Sequence, residues 1–106
     1  PDRFIMTLPE LTGAQRTHLR GLGQRLSDSL RIGRQGPTPA LVTELNRQLD
    51  TRELVKARFE SADRDERAAM IDRMAADTPC LCVGAVGRTA LFYRPHPDAT
   101  KRQVLA

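Results

Sequence analysis

The chain has 106 residues, of which 40% are apolar and 28% charged, and its formal net charge is +4. These totals fit one globular domain and leave no room for a second core. No apolar run approaches the roughly 20 residues of a membrane span, and residues 1–10 lack the apolar stretch of a signal peptide, so a cytoplasmic protein without a membrane partner is expected.

The positive charge is concentrated towards the two ends of the chain. Residues 13–36 contain five arginines and one acidic residue, Asp28, whereas residues 37–79 contain seven basic and nine acidic residues. Residues 80–106 contain four basic residues and one acidic residue. If the two ends meet in the fold, they form a basic face suited to a polyanion such as nucleic acid. A general preference for arginine would explain the residue type but not this clustering.

The first helix is predicted to begin at Thr12, because Thr12 and Gln15 have the spacing of a capping box. Leu19, Leu22 and Leu26 follow at helical spacing and form its buried stripe, and the helix is expected to end near residue 27. The preceding residues, 1–10, are expected to be a leader or disordered.

The second helix is predicted to begin at Thr38, with Pro39 in the first position, where its missing N–H costs least. Between the two helices, residues 29–32 form a short strand that leads into a glycine loop, Gly33–Gly36. The apolar face of the second helix comprises Leu41, Val42, Leu45 and Leu49.

A half-buried strand is predicted over residues 54–59, since Val55, Ala57 and Phe59 alternate with Lys56 and Arg58. The apolar set should point to the core and the two basic residues to solvent.

The third helix is predicted to begin at Asp63, with Glu66 completing a capping box, and to stop at Thr78–Pro79. Its inner face is expected to comprise Ala68, Ile71, Met74 and Ala75. Two strands follow, over residues 80–86 and 89–94, and Gly87–Arg88 between them suits a type II′ hairpin turn.

The element order is thus helix, strand, helix, strand, helix, strand, strand. It predicts a single α/β domain over residues 11–95, with the helices on one face of the sheet. Residues 96–106 are expected to form a flexible tail.

No catalytic or metal-binding constellation is found in the sequence. His18 and His96 have no nucleophile or carboxylate at a catalytic spacing, and the carboxylates at the start of the third helix are explained by capping. Cys80 and Cys82 are two apart, as small core residues of one strand would be. We therefore expect no enzyme, no cofactor and no small-molecule substrate.

The segment Gly33–Gly36 has the pattern G-x-x-G, with Arg34 and Gln35 between the glycines. It could be a plain strand-to-helix turn, or a cradle in which the backbone approaches a phosphate at the start of a helix. The pattern alone is weak, because Gly84–Gly87 has it too, with apolar residues between the glycines. Only four aromatic residues are present, so no platform for base stacking is expected.

Four segments in order, "LTGAQRTHLRGL", "IGRQG", "ELVKARF" and "VGAVGRTALFYRP", resemble the CRM domain (chloroplast RNA splicing and ribosome maturation) in its stand-alone bacterial form. The resemblance covers residues 11–95. It implies a four-stranded mixed sheet backed by helices, similar to the C-terminal domain of bacterial translation initiation factor three. It also implies RNA binding through the glycine loop and an adjoining basic surface, and association with precursor large ribosomal subunits.

The resemblance assigns RNA contacts to the loop, to the first helix and to the second strand, at Gly33, Arg34, Gln35, Gly36, Arg16, Arg20 and Lys56. Charge and alternation add Arg31, Arg58, Arg88 and Arg94. Four residues depart from the usual pattern of the family, namely Asp28 (usually proline), Pro37 (leucine), Arg52 (histidine) and Gly84 (glutamine).

The expected function is RNA binding during assembly of the large ribosomal subunit, by a monomer that contacts ribosomal RNA through its backbone. The alternative is a protein–protein adaptor that docks on a ribosomal protein or an assembly GTPase. An adaptor would need an exposed apolar patch, and the sequence has no surplus of apolar residues outside the helical stripes.

Overall fold

The computed structural model describes residue 8, residues 10–60 and residues 63–102. Its elements follow the predicted order: α1 Gly13–Arg25, β1 Leu30–Ile32, α2 Pro39–Arg52, β2 Leu54–Phe59, α3 Arg64–Asp77, β3 Leu81–Val86 and β4 Thr89–Tyr93. Most of the leader predicted over residues 1–10, and residues 103–106 of the predicted tail, lie outside the described residues. None of the helices in the described part of the chain has the length and apolar character needed to cross a bilayer.

The helix starts are those that the capping patterns predict. Thr12 and Gln15 form a reciprocal capping box on α1, and Asp63 and Glu66 form another on α3. The Thr38 side chain accepts a hydrogen bond from the Leu41 N–H at the start of α2. Each cap satisfies backbone donors that a helix start otherwise leaves unpaired.

The four strands form one mixed sheet in the order β1-β2-β4-β3. β1 is parallel to β2, whereas β2 pairs with β4, and β4 with β3, in antiparallel register. The hairpin turn between β3 and β4 has Gly87 at φ 59°, as the first central position of a type II′ turn requires. β1 and β3 are therefore the two edges of the sheet.

The main core lies between the sheet and the helices α2 and α3. Val55, Ala57 and Phe59 of β2 point into it, as the alternation predicts, and pack with side chains such as Leu45, Leu49, Met74, Cys80 and Phe92. In α3, Met70 packs against this core, whereas Ala68, predicted on the inner face, is exposed.

The helix α1 covers the opposite face of the sheet, so the prediction that all helices share one face is wrong. Leu19 is fully buried there and packs in a second cluster with Leu54, Val83, Leu91 and Tyr93. Burial of one such leucine contributes about 2 kcal/mol. The sheet has two buried faces because β4 is apolar on both, with Leu91 and Tyr93 facing α1, and Ala90 and Phe92 facing away.

The segment after β4 is hydrogen-bonded to the body of the domain in its described part. The His96 N–H donates to the Glu53 carboxylate at 2.7 Å, and Arg102 Nε donates to the His96 carbonyl at 2.8 Å. A short 3₁₀ helix, Ala99–Lys101, lies between them. Residues 96–102 of the predicted tail are thus tied to the junction of α2 and β2.

Candidate nucleic-acid interface

The segment Gly33–Gly36 is a β-turn at the end of β1. The Gly36 N–H donates to the Gly33 carbonyl at 3.0 Å, which places Arg34 and Gln35 at the two central positions. Both of these side chains are exposed. The turn therefore presents a guanidinium and an amide to solvent.

The two glycines of the turn differ in what the fold requires of them. Gly36 has φ 80°, so its backbone favours glycine, and a Cβ at this position would lie 3.2 Å from Cε of Met70, which would have to shift slightly. Gly33 lies outside the left-handed region, and its Cβ would make ordinary contacts, at 3.7 Å from Gln35 Oε1 and 3.9 Å from Glu60 Oε1. Nothing in the fold demands glycine at position 33.

The turn is held between two fixed elements. Before it, the Ser29 hydroxyl donates to Gln48 Oε1 at 2.6 Å, and Gln48 Nε2 donates back to the Ser29 carbonyl at 3.0 Å, which joins the start of β1 to α2. After it, Pro37 is buried and the capped start of α2 follows. The positive end of the α2 dipole thus lies close to the turn.

A row of side chains crosses the sheet next to this turn, on the face that α1 covers elsewhere. Arg31 is opposite Arg58, Arg58 is opposite Thr89, and Thr89 is opposite Val86. We refer to these four residues as the cross-strand row. Arg31, Arg58 and Val86 are exposed, and neighbouring strands lie about 4.8 Å apart, so the row is short and open to solvent.

Asp28, the acidic departure from the family pattern, lies beside this row. Its Oδ2 is 3.9 Å from Nε of Arg31, whose side chain remains 70% exposed. An ion pair at that distance with an exposed arginine is weak, and the arginine can exchange its partner for another anion. The row therefore keeps its cationic character despite Asp28.

A cleft of about 350 Å³ opens between α1 and the sheet, at the other end of the row. Arg20 and Gln24 of α1 form one wall, and Lys56, Thr89 and Leu91 lie across from them. We refer to it as the α1 cleft. Thr89 belongs to both the cleft and the cross-strand row, so the two are continuous.

Arg20 is fixed on the edge strand β3. Its Nε donates to the Val83 carbonyl at 2.9 Å, and a Cβ on Gly84 would lie 3.2 Å from Cγ of Arg20. Glycine at position 84, where the family usually has glutamine, thus leaves room for the arginine stem. The prediction that Lys56 points to solvent is wrong, because it lies half-buried under α1, where Nζ donates to the Gly23 carbonyl at 3.2 Å.

Arg88 lies at the same end of the sheet as the G-x-x-G turn. The Phe59 N–H donates to the Arg88 carbonyl at 2.8 Å, and Arg88 Nη1 donates to the Glu60 carbonyl at 3.3 Å. The Glu60 N–H in turn donates to the Ile32 carbonyl, directly before Gly33. The hairpin tip and the turn are therefore joined through the end of β2.

Two predicted residues lie elsewhere. Arg94 is buried on the α2 side, where its guanidinium donates to Asn46 Oδ1 at 2.7 Å, to the Asn46 carbonyl at 3.0 Å and to Asp50 Oδ1 at 2.7 Å. Its burial and these bonds give it a structural role, which corrects its assignment to the basic surface. Arg16 is half-buried, one turn before Arg20, and does not line the cleft.

Three residues of this surface were missed in the sequence because they are uncharged. Gln24, Thr89 and Val86 line the α1 cleft, and they come together only through the strand register and the placement of α1. No local pattern indicates them. Glu60, also not predicted, adds one acidic side chain beside Gly33.

The potential metal ligands and the two cysteines can also be described. In the part of the chain that the structure describes, no group of three His, Cys, Asp or Glu residues could hold a metal ion. Burial raises the pKa of the Cys80 thiol to about 12 and also raises the pKa of the Cys82 thiol. Both thiols are thus protonated packing groups at neutral pH.

The fold and this surface define a small α/β domain with a basic, solvent-open sheet end flanked by a glycine turn and a cleft. The chain belongs to the CRS1/YhbY (CRM) domain family, whose model matches residues 11–94.

Two relatives agree with this membership, and a solved structure has the same fold. The chain is 33% identical to "Probable RNA-binding protein PA4753" of Pseudomonas aeruginosa over 91 residues, covering 86% of this chain and 88% of that protein. It is 28% identical over 89 residues to a Haemophilus influenzae protein named "RNA-binding protein", covering 84% and 90%. The solution structure of SAV1595 from Staphylococcus aureus has the same fold, with a TM-score of 0.76 at 22% identity, over 90% of this chain and 99% of that one.

Proposed function

We propose that this protein is a non-enzymatic RNA-binding protein that acts in assembly of the large ribosomal subunit. In this proposal it works as a monomer in the cytoplasm and holds ribosomal RNA by its backbone. The observation that carries the proposal is the juxtaposition of the exposed Arg34–Gln35 turn with the exposed arginines of the cross-strand row. The names of the Pseudomonas and Haemophilus relatives support RNA as the ligand.

The chemistry of the turn suits a phosphate. Arg34 supplies a planar guanidinium that can donate two parallel hydrogen bonds to phosphate oxygens, and Gln35 supplies an amide donor. The bare backbone at Gly33 allows a phosphate to approach without meeting a Cβ. Arg31, Arg58 and Arg88 then extend the positive field along the sheet end, so affinity should fall steeply with salt.

The turn is tested by the double substitution Arg34→Glu with Gln35→Glu. Both side chains are exposed, so thermal stability should be nearly unchanged, whereas affinity for ribosomal RNA at low salt should fall roughly tenfold or more. Arg73→Glu with Ala76→Glu is the matched control, because it makes the same change in charge at exposed positions of α3. Equal loss in both variants, or no loss in a folded first variant, would show that the turn is not the site.

The ribosomal role needs a test in cells. Crosslinking the tagged protein to RNA and sedimenting extracts on sucrose gradients should locate it on large-subunit ribosomal RNA, in particles lighter than mature subunits. Crosslinks dominated by other RNAs would contradict the ribosomal part of the proposal and leave RNA binding intact.

The adaptor alternative has less support. Val86, which is 79% exposed, is the single exposed large apolar side chain in the described part of the chain. An interface with a protein partner normally has an apolar centre of several such residues. A shift of labelled ribosomal RNA at low salt that is lost at moderate salt distinguishes the two functions, since an adaptor would give no shift.

A further inference from the structure

We propose that the α1 cleft binds one unpaired base of the RNA strand whose backbone lies on the G-x-x-G turn and the cross-strand row. This inference rests on the proposed function. It adds a contact with a base, through which the protein would distinguish single-stranded from double-stranded RNA. The cleft measures about 350 Å³, at the small end of pockets that take organic ligands.

The lining of the cleft favours an anionic strand carrying a flat, partly apolar group. Its floor includes Leu91 and Gly84, whereas the exposed Arg20 and Val86 lie at its rim, and the half-buried Lys56 adds a second cationic group. None of the described residues that line it is acidic. A base against the floor with its phosphate at the rim would match both the apolar and the cationic parts.

Arg20 is prepared to stack on a base. Its Nε is bonded to the Val83 carbonyl and its stem rests over Gly84, so the guanidinium plane is held at the rim. Its Nη groups have no partner among the described residues. Proteins that read single-stranded RNA stack unpaired bases on aromatic rings or on arginine planes, and here the arginine would supply what the scarce aromatics do not.

Two uncharged side chains can form hydrogen bonds with the polar edge of the base. Gln24 is exposed at the wall of the cleft and has both an amide donor and a carbonyl acceptor. The Thr89 hydroxyl donates to the Val86 carbonyl at 2.9 Å, which leaves its lone pairs free to accept. Either could bond a Watson–Crick edge exposed by unpairing.

The position of the cleft agrees with one continuous strand. Thr89 is the cross-strand neighbour of Arg58, and Arg58 is the neighbour of Arg31, which lies two residues before Gly33. From β1 to β4 the path covers two strand spacings, or about 10 Å. A single strand that leaves the turn along the two arginines therefore arrives at the cleft.

The test compares a mixed-sequence single-stranded RNA of about ten nucleotides with an otherwise identical strand that lacks its bases. The phosphates are the same, so binding to the backbone alone gives equal affinities. The native protein should bind the base-bearing strand about tenfold more tightly, a value within the range for one stacked base. Gln24→Ala with Thr89→Val should reduce that preference several-fold while the salt dependence stays unchanged, because no charge is altered.

Thr43→Val with Thr51→Val, two uncharged changes at exposed positions of α2, is the matched control and should keep the full preference. If Thr89→Val disrupts the hairpin between β3 and β4, the single variant Gln24→Ala is used in place of the double variant. Equal binding of the two strands by the native protein would overturn the base site and leave backbone binding standing. A preference that survives in the cleft variants would overturn it as well. Failure to bind either strand while labelled ribosomal RNA is still bound would also overturn the base site, whereas failure to bind ribosomal RNA as well would contradict the proposed function.

Discussion

Gly33 and Gly36 show how residues of one motif can be required for different reasons. Gly36→Ala should lower the free energy of unfolding by about 1–2 kcal/mol, because an L residue is strained at φ 80° and its Cβ would press on Met70. Gly33→Ala should leave stability almost unchanged and weaken RNA binding, because the new Cβ would hold a phosphate away from the backbone. Chemical denaturation and a filter-binding assay at low salt measure the two effects separately. Native RNA affinity in Gly33→Ala would mean that the strand does not approach this backbone.

Arg94 is a residue whose charge is misleading in the sequence. It lies in the basic C-terminal part of the chain, yet the residue is only 5% exposed and its guanidinium is bonded to Asn46 and Asp50 of α2. No local pattern distinguishes a buried arginine from an exposed one, since the distinction depends on which element packs over it.

Arg94→Met should therefore lower the free energy of unfolding by about 1.5–3 kcal/mol, because it removes the charge-assisted hydrogen bonds that the buried guanidinium donates to Asn46 and Asp50. The RNA affinity of the folded fraction should be unchanged. Arg47→Met is the control, since Arg47 pairs with Glu44 on the exposed side of the same helix and its loss should change stability little. A selective loss of RNA affinity in Arg94→Met would return this residue to the binding surface.

Among the elements, α1 is the one whose place in the fold was predicted wrongly, because the sequence did not indicate which face of the sheet it covers. Its limits, its cap and its leucine stripe were predicted correctly, as were the bounds of most other elements, because these depend on neighbours in the chain. The error came from judging the sheet by β2, whose Lys56 and Arg58 suggested a solvated face. The run Ala90–Tyr93 in β4 is apolar at every position, which is typical of a strand covered on both sides.

The approach of α1 to the sheet depends on a glycine, and a second glycine in the same helix provides the comparison. A Cβ at Gly23 would lie 2.6 Å from Cδ2 of Leu91, whereas nothing lies within 4 Å of the corresponding position at Gly21. Gly23→Ala should cost about 1–3 kcal/mol through overpacking, although alanine favours helix. Gly21→Ala should stabilise the protein by about 0.5–1 kcal/mol.

Thermal unfolding of these two variants measures whether α1 sits this close to β4. Equal stabilisation by both substitutions would show that the approach of α1 to the sheet does not depend on Gly23. The comparison of the two variants also tests the shape of the α1 cleft, because Gly23 forms part of its lining.

For the whole molecule, the two basic ends of the chain do meet, since α1 packs on β3 and β4. The residues proposed for the basic surface, such as Arg20, Arg58 and Arg88, are thus far apart in sequence. Charge counting could predict that such a surface exists, but the register of the strands decides which arginines share it. Arg31 and Arg58 are neighbours only because β1 and β2 pair in parallel.

The salt dependence of binding should therefore depend on position and not on net charge. Arg31→Ala with Arg58→Ala should reduce the slope of log affinity against log salt by about 1.4, since each contact with a single strand adds about 0.7. Arg52→Ala with Arg73→Ala removes the same charge from exposed positions on the helices of the other face and should leave the slope nearly unchanged. Titrations at several salt concentrations measure both. Equal slopes in the two variants would mean that RNA responds only to overall charge.

The bond between Arg20 and the Val83 carbonyl also bears on self-association. Val83 lies at the irregularity in the pairing of β3 with β4, and β3 is an edge strand, the kind of surface on which another chain can add a strand. Arg20 occupies that carbonyl with a charged group, and the irregularity twists the edge away from a flat template. The side chain proposed to hold RNA therefore also protects the sheet, and removing it would tend to produce dimers and larger aggregates. A loss of RNA binding in Arg20→Ala has to be interpreted together with sedimentation of the same sample.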